Sequence, residues 1–186
     1  MHYCLALFTK ELPSKEKIDS LMKRYNSEDI YSDDEKEIDY PQFTYDWYQI
    51  GGRYAGGIKL KVDESNNIYE WQYMIKEPRN GRLFWSYLLN QLEDFSKKSF
   101  MYREEDYFSS MGYCDGFLYV DGAKISDIMN MDKIGCFTFM NAEGEAYSRE
   151  WWNGSDFIEN KDFEQRFKEE IEKSKDMYLT IIDYHD

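Results

Sequence analysis

The sequence predicts an α+β fold in a single domain over residues 1–186, with a mostly antiparallel sheet and about three helices packed on one face. Segments of strand and helix periodicity are mixed along the chain, without the regular alternation typical of a parallel sheet. A length of 186 residues suits one hydrophobic core, and an aromatic content of 18% supplies much of its bulk. Neither repeats nor a Gly/Ser-rich linker marks a second domain.

The first half of the chain begins with an apolar run that predicts a buried strand at 3–9. Pro13 and Ser14 then open a helix, because apolar residues follow at helical spacing up to Tyr25. The acidic stretch 26–39 predicts a solvated loop. Further strands are predicted at 47–53, 58–62 and 68–75, and a second helix at 84–97.

The second half is predicted to be irregular at 99–112 because charged and aromatic residues alternate there without a period. The remaining elements are a strand at 117–120, a hairpin of 135–140 with 145–148, a third helix at 163–171 and a closing strand at 178–182. Asp162 and Gln165 have the spacing of a capping box at the start of the third helix.

Charge and cysteine content exclude several classes of function. A formal net charge of -14 argues against direct binding to nucleic acid or to an anionic membrane. The three cysteines, Cys4, Cys114 and Cys136, are odd in number and lack CxxC spacing, so neither a disulfide framework nor a zinc site is expected. No signal peptide or run of 18 apolar residues is present, which predicts a cytoplasmic protein. No metal is expected, because a catalytic metal usually needs three well-held ligands. No cofactor is expected either, since P-loop and dinucleotide motifs are absent.

The densest cluster of unusual residues is the segment 45–57, where aromatic residues and a carboxylate lead into two Gly-Gly pairs around an arginine. Glycine permits sharp turns and close approach to a ligand, arginine binds phosphate or carboxylate, and aromatic rings stack on bases. The candidate ligand-binding residues are Asp46, Trp47, Tyr48, Gly51, Gly52 and Arg53, joined by Trp151 and Trp152 from a second aromatic-glycine corner. The structural alternative is an arginine paired with Asp46 or another acid, and glycines that only serve a turn or bulge.

The only histidines, His2 and His185, stand at the outer ends of the first and last predicted strands. If these strands pair antiparallel, the imidazoles approach each other and are able to act as general acid and base on a phosphodiester. Asp183 or Asp46 would orient one of them. The alternative is two surface histidines at frayed ends of the chain.

Several motifs together resemble a family of uncharacterised proteins from bacteriophages and bacterial accessory regions. They are the Met1-His2-Tyr3 strand, Asp46-Trp47-Tyr48-x-Ile50-Gly51-Gly52-Arg53, the Cys114-Asp115 strand entry, the hairpin with Gly144, Trp151-Trp152-x-Gly154 and the end Ile181-Ile182-Asp183-Tyr184-His185. Typical members have tryptophan after the arginine, where this chain has Tyr54. The resemblance implies a phage-like setting, in the host cytoplasm, and one shared pocket, but no chemistry.

Three functions follow as hypotheses. The first is a counter-defence protein that binds and sequesters a small nucleotide immune signal, either cyclic or derived from ADP-ribose. The second is a phosphodiesterase that cleaves such a signal with His2, His185 and Asp183. The third is an acidic inhibitor that binds the nucleic-acid site of a host defence protein. The expected partners are therefore a small nucleotide or a host protein, and a homo-oligomer stays compatible with the sequence.

Overall fold

The computed structural model of the chain describes residues 1–11, 13–31, 40–54, 56–61, 100–103, 110–114 and 117–186. Within these residues, two long strands, one at each end of the sequence, and ten shorter ones form the sheets. The strands are β1 (His2–Thr9), β2 (Trp47–Ile50), β3 (Ile58–Lys61), β4 (Phe100–Arg103), β5 (Ser110–Cys114), β6 (Phe117–Val120), β7 (Gly122–Lys124), β8 (Thr138–Met140), β9 (Ala146–Ser148), β10 (Glu150–Trp152), β11 (Phe157–Glu159) and β12 (Tyr178–His185). The α-helices of the described residues are α1 (Lys15–Met22), α2 (Ser27–Tyr31) and α3 (Phe163–Lys173).

The main sheet has six strands and is organised around β12. Its order is β2-β12-β1-β8-β9, and β7 also pairs with β12. β1 and β12 are antiparallel partners along all eight residues of each strand, from His2 opposite His185 to Thr9 opposite Tyr178. Among the described strands of this sheet, the pairing of β1 with β8 is the parallel one. The fold is therefore α+β with a mostly antiparallel sheet, as the sequence predicts.

Two smaller sheets accompany the main one. Strands β3, β6, β5 and β4 form an antiparallel sheet in that order, and β10 pairs with β11 as a hairpin. The expectation of irregular structure at 99–112 is wrong for β4 and β5, because their mutual pairing supplies the order that their sequence pattern hides. The strand predicted at 68–75 and the helix predicted at 84–97 lie outside the described residues.

Helices lie on both faces of the main sheet, which corrects the expectation of one covered face. Tyr48, on the same face as Tyr184 and Tyr3, donates its hydroxyl hydrogen bond to Asp19 of α1. Phe8 points to the opposite face, because it is an odd number of residues from Tyr3, and its ring lies 6.2 Å from that of Phe167 in α3. Fully buried residues such as Leu5, Leu7 and Phe8 occur on both faces of β1, which explains its continuous apolar run.

The helix ends follow their local side chains. Ser14 caps α1 as predicted, because its Oγ accepts the backbone N–H of Lys17 at 3.2 Å. The capping box expected for α3 is wrong: the carboxylate of Asp162 binds Arg166 Nε at 2.6 Å and the Tyr147 hydroxyl at 2.5 Å instead of the backbone.

The helix α2 lies where the sequence predicts a solvated loop. Asn26 Oδ1 accepts the backbone N–H of Glu28 at 2.9 Å, and two acidic residues in the first turn favour the helix dipole. The rest of the predicted loop, 32–39, lies outside the described residues. Among the helices that the structure describes, none is long and apolar enough to cross a membrane.

Candidate functional site

The pairing of β1 with β12 brings the two histidines together at one end of the main sheet. His2 lies directly opposite His185 in the register, and their ring centroids are 5.3 Å apart at 73°. Their side chains are 18% and 35% exposed, so both are held by the protein and both reach solvent. Both histidines lie on the face of the sheet that α3 covers, but beyond the part of the strands that α3 contacts.

His2 is oriented by Asp183, two residues before His185 on the same face of β12. The Nδ1 atom of His2 lies 2.9 Å from Asp183 Oδ1. Because the carboxylate only accepts hydrogen bonds, Nδ1 carries the proton in the neutral ring and Nε2 keeps its lone pair. No hydrogen-bond partner of Nε2 occurs among the described residues. Asp183 itself is buried, so His2 is fixed by a group that solvent does not reach.

His185 is oriented by a second carboxylate, that of Asp46 just before β2. The Nδ1 atom of His185 lies 3.0 Å and 2.9 Å from the two oxygens of Asp46. Burial opposes ionisation of Asp46, but hydrogen bonds from His185 and from the backbone N–H of Trp47 outweigh it and lower its pKa. The Nε2 atom of His185 lies 3.1 Å from the Met1 nitrogen. Each histidine thus has its own carboxylate.

Trp47 forms an aromatic wall beside both histidines. It lies opposite His185 in the pairing of β2 with β12, and the two rings are nearly parallel, at 7°, with centroids 5.8 Å apart. The ring of His2 meets Trp47 edge-on at 5.1 Å. Trp47 is 43% exposed, so one part of its indole stays open to a ligand.

The glycine turn after β2 closes on the carboxylate that holds His2. Gly51 and Gly52 have φ angles of 71° and 51°, values that residues with a side chain rarely adopt. A Cβ atom on Gly52 would overlap Cβ and Oδ2 of Asp183. The close approach lets Asp183 Oδ2 accept the backbone N–H of Arg53 at 2.8 Å. Asp183 therefore binds His2 through one oxygen and the turn through the other.

The guanidinium of Arg53 is exposed and makes no ion pair with any described residue. Its backbone N–H shares the carboxylate of Asp183 with His2, which places the backbone of Arg53 beside the histidine pair. Of the structural alternative, an arginine paired with Asp46 or another acid, the structure lacks the pair with Asp46, which binds His185 instead. In a chain with a net charge of -14, a cation without an ion-pair partner among the described residues is suited to bind an anionic ligand.

A second buried carboxylate, Asp121, holds the other end of the turn. Its Oδ1 accepts the backbone N–H of Gly56 at 2.6 Å, and its backbone oxygen accepts that of Ile181 at 2.7 Å. A Cβ on Gly51 would overlap its carboxylate. In the sequence, Asp121 merely follows the strand predicted at 117–120. Its one available signal, an acid after the apolar strand 117–120, is too common to identify a site residue.

Three predicted ligand-binding residues lie apart from the histidine pair. Tyr48 points to the opposite face from Trp47, since neighbours alternate along a strand, and burial and the Asp19 carboxylate raise its pKa. Trp151 and Trp152 lie in β10 and line a groove that also contains Tyr3 and Tyr184. Because Tyr3 and Tyr184 alternate with His2 and His185, this groove opens on the other face. The expected shared pocket is thus two separate places.

The arrangement is suited to proton transfer. Two imidazoles meet edge to face, each with Nδ1 on a carboxylate; Nε2 of His2 has no partner among the described residues, and Nε2 of His185 contacts the Met1 nitrogen. A pair of this kind is able to act as general acid and base. Within the described ranges, no group of three or more His, Cys, Asp or Glu side chains is arranged to hold a metal ion.

Comparison of the chain with family models, with curated proteins and with solved structures found no match.

Proposed function

We propose that this protein is a phosphodiesterase that cleaves a small nucleotide signal by general acid–base catalysis at His2 and His185. The single observation that carries the proposal is the pair of facing histidines, 5.3 Å apart, with a separate carboxylate on each. Sequestration of a ligand requires no such pair. Frayed chain ends would not place both imidazoles on defined hydrogen-bond partners.

In the proposed reaction, one imidazole takes a proton from the attacking oxygen and the other gives a proton to the departing oxygen as the P–O bond breaks. His2 is the better placed base, because its Nε2 has no partner among the described residues. Asp183 and Asp46 keep each ring in the Nδ1-protonated tautomer and stabilise its positive charge when Nε2 is protonated. After product release the base gives its proton to solvent and the acid takes one up from solvent, which returns the pair to its starting state.

Arg53 and Trp47 favour a nucleotide as substrate. Arg53 supplies a positive charge for the phosphate, and the exposed part of Trp47 supplies a stacking surface for a base. The net charge of -14 opposes a long polyanion such as DNA or RNA, which would face repulsion along its whole length. A nucleotide with few phosphates avoids most of that repulsion, so a small signal is the better substrate.

Sequestration of the same signal is the second candidate function. The exposure of Trp47 and of Arg53 favours it, because both side chains are able to bind a nucleotide without any chemistry. Either function would serve a counter-defence role in the phage-like setting that the sequence resemblance implies. The two functions differ only in whether the ligand leaves the protein unchanged.

One experiment separates the two functions. The protein is incubated with a panel of cyclic dinucleotides, cyclic mononucleotides and ADP-ribose derivatives, and ligands are chromatographed before and after heat denaturation of the protein. A phosphodiesterase converts one ligand into a new product, and His2→Gln and His185→Gln abolish the conversion. Trp152→Phe, a change outside the histidine pair, is the control and retains full turnover.

Recovery of unaltered ligand only after denaturation would replace the enzyme by a sequestering protein. Normal turnover in both histidine variants would eliminate the proposed catalytic pair. Absence of both binding and turnover across the panel would exclude these nucleotides as ligands. Thermal unfolding of each variant, measured in parallel, separates loss of chemistry from loss of fold.

A further inference from the structure

A groove of about 240 Å³ lies on the face of the main sheet opposite the histidine pair. Aromatic rings dominate its walls, among them Tyr3, Phe43, Trp151, Trp152 and Phe157. The hairpin of β10 and β11 forms one rim, where Phe157 is 70% exposed and its ring lies 5.2 Å from that of Trp152. Aromatic surface of this kind is costly to expose to water and commonly marks a contact site.

The groove is negatively charged as well as aromatic. The carboxylates of Glu150 and Asp186 line it, and the lining residues that the structure describes include no lysine, arginine or histidine. The pKa of the Tyr3 phenol is raised by its burial and then by the charges of Asp186 and Glu150, so both carboxylates act on the same part of the groove.

We propose that this groove binds an arginine side chain of a basic partner protein. A guanidinium stacks on aromatic faces. It is also attracted by the two carboxylates, which would repel an anion. The same chemistry already occurs among the described residues: Arg24, Arg149 and Arg166 lie 4.8, 4.4 and 4.6 Å from the ring centres of Tyr25, Phe163 and Tyr147.

Charge distinguishes this occupant from two others. A second copy of the chain also has a net charge of -14 and would be repelled by this negative surface. A basic partner would be attracted to it over a distance. A nucleotide would place its phosphates near Glu150 and Asp186. This inference is independent of the proposed function, since it concerns the other face of the sheet and uses neither histidine.

NMR of the indole N–H groups tests the proposal directly, with signals of Trp151 and Trp152 assigned from Phe variants. The probe is Nα-acetyl-arginine amide, and Nα-acetyl-citrulline amide is the uncharged control of nearly the same shape. Saturable shifts of both indole signals are expected with the arginine probe. The citrulline probe is expected to bind at least about five-fold more weakly, because a cation–π contact contributes about 1 kcal/mol.

Matched charge variants of the protein complete the test. Glu150→Gln is expected to weaken arginine binding about three-fold, the effect of one exposed charge pair, whereas Glu172→Gln on α3, an equal change of charge outside the groove, leaves it unchanged. Equal weakening by both variants, equal binding of citrulline, or shifts produced by adenosine but not arginine would each overturn the proposal. Shifts that depend on protein concentration alone would instead assign the groove to a second copy.

Discussion

His2 and His185 face each other across one antiparallel strand pair, 5.3 Å between ring centroids, and each is held by a different carboxylate. Residues that act in the same step lose their effect together. We therefore expect His2→Gln and His185→Gln each to lower kcat about 100-fold or more, and the double variant to be little worse than either. Steady-state turnover of the substrate found in the ligand panel measures this, and multiplicative losses would contradict a shared step.

Arg53 is expected to act on ligand binding without supporting the fold. Arg53→Ala removes the guanidinium but keeps the backbone N–H that donates to Asp183. KM should rise about ten-fold, the effect of one charged hydrogen-bonding group, with little change in kcat or melting temperature. Arg166→Ala is the control and should leave KM unchanged, since Arg166 lies in α3 and binds Asp162, away from the histidine pair. An unaltered KM in Arg53→Ala would remove Arg53 from the site.

Gly52 couples the turn to the site, so a single methyl group there is expected to disturb both. In Gly52→Ala the new Cβ overlaps Asp183 and the residue keeps a positive φ, which should destabilise the protein by about 1–3 kcal/mol. Turnover should fall as well, because Asp183 orients His2. Gly135→Ala is the matched control, as its Cβ would meet no atom within 4 Å. Urea unfolding checks both variants, and equal stabilities would contradict the prediction.

The carboxylate of Asp46 should stabilise the fold in a defined pH window. Hydrogen bonds from His185 and Trp47, which outweigh the opposing effect of burial, lower its pKa in the folded state. A lowered pKa means that the stabilisation is present above the unfolded value of about 4 and is lost as pH falls through the folded value. Urea unfolding between neutral and acidic pH should show wild type and Asp46→Asn converging below about pH 4. A difference that persists unchanged in acid would contradict this assignment.

Cys4 and Cys136 are expected to be unreactive thiols in the folded protein. Burial, with a smaller contribution from the Asp183 charge, raises the pKa of Cys4 to about 12, and burial raises that of Cys136 well above its usual value. In a Cys114→Ser background, an aromatic disulfide reagent at about pH 8 should label neither thiol until the protein is unfolded. Rapid labelling of the native protein would show that this end of the sheet opens readily.

The parts of the site that sequence reasoning anticipates are those fixed by strand ends. His2 and His185 stand at the outer ends of two apolar strands, and antiparallel pairing of these strands is enough to make them neighbours. The assignment of Asp183 to His2 and of Asp46 to His185 depends instead on the register of three strands. No single sequence pattern specifies that register, so the sequence alone does not decide which carboxylate binds which histidine.

Other features were hidden because they depend on contacts between distant residues. Trp151 and Trp152 are residues typical of a stacking site. Alternation along β1 and β12 nevertheless places their groove on the face opposite the histidine pair. The strands β4 and β5 have mixed sequences, and each is ordered by the other. Asp121 gains its role only because the turn at 51–56 folds against it.

The position of β12 has a consequence for synthesis of the protein. This strand follows every other described element, yet β1, β2 and β7 all pair with it, and His2 reaches Asp183 across 181 residues of sequence. A ribosome-bound chain that still lacks β12 therefore leaves an edge of each of these strands unpaired and has neither histidine–carboxylate pair. Protease cleavage before Tyr178 with loss of β12 would leave the folded protein in the same condition, without the histidine pair and with unpaired strand edges that favour aggregation.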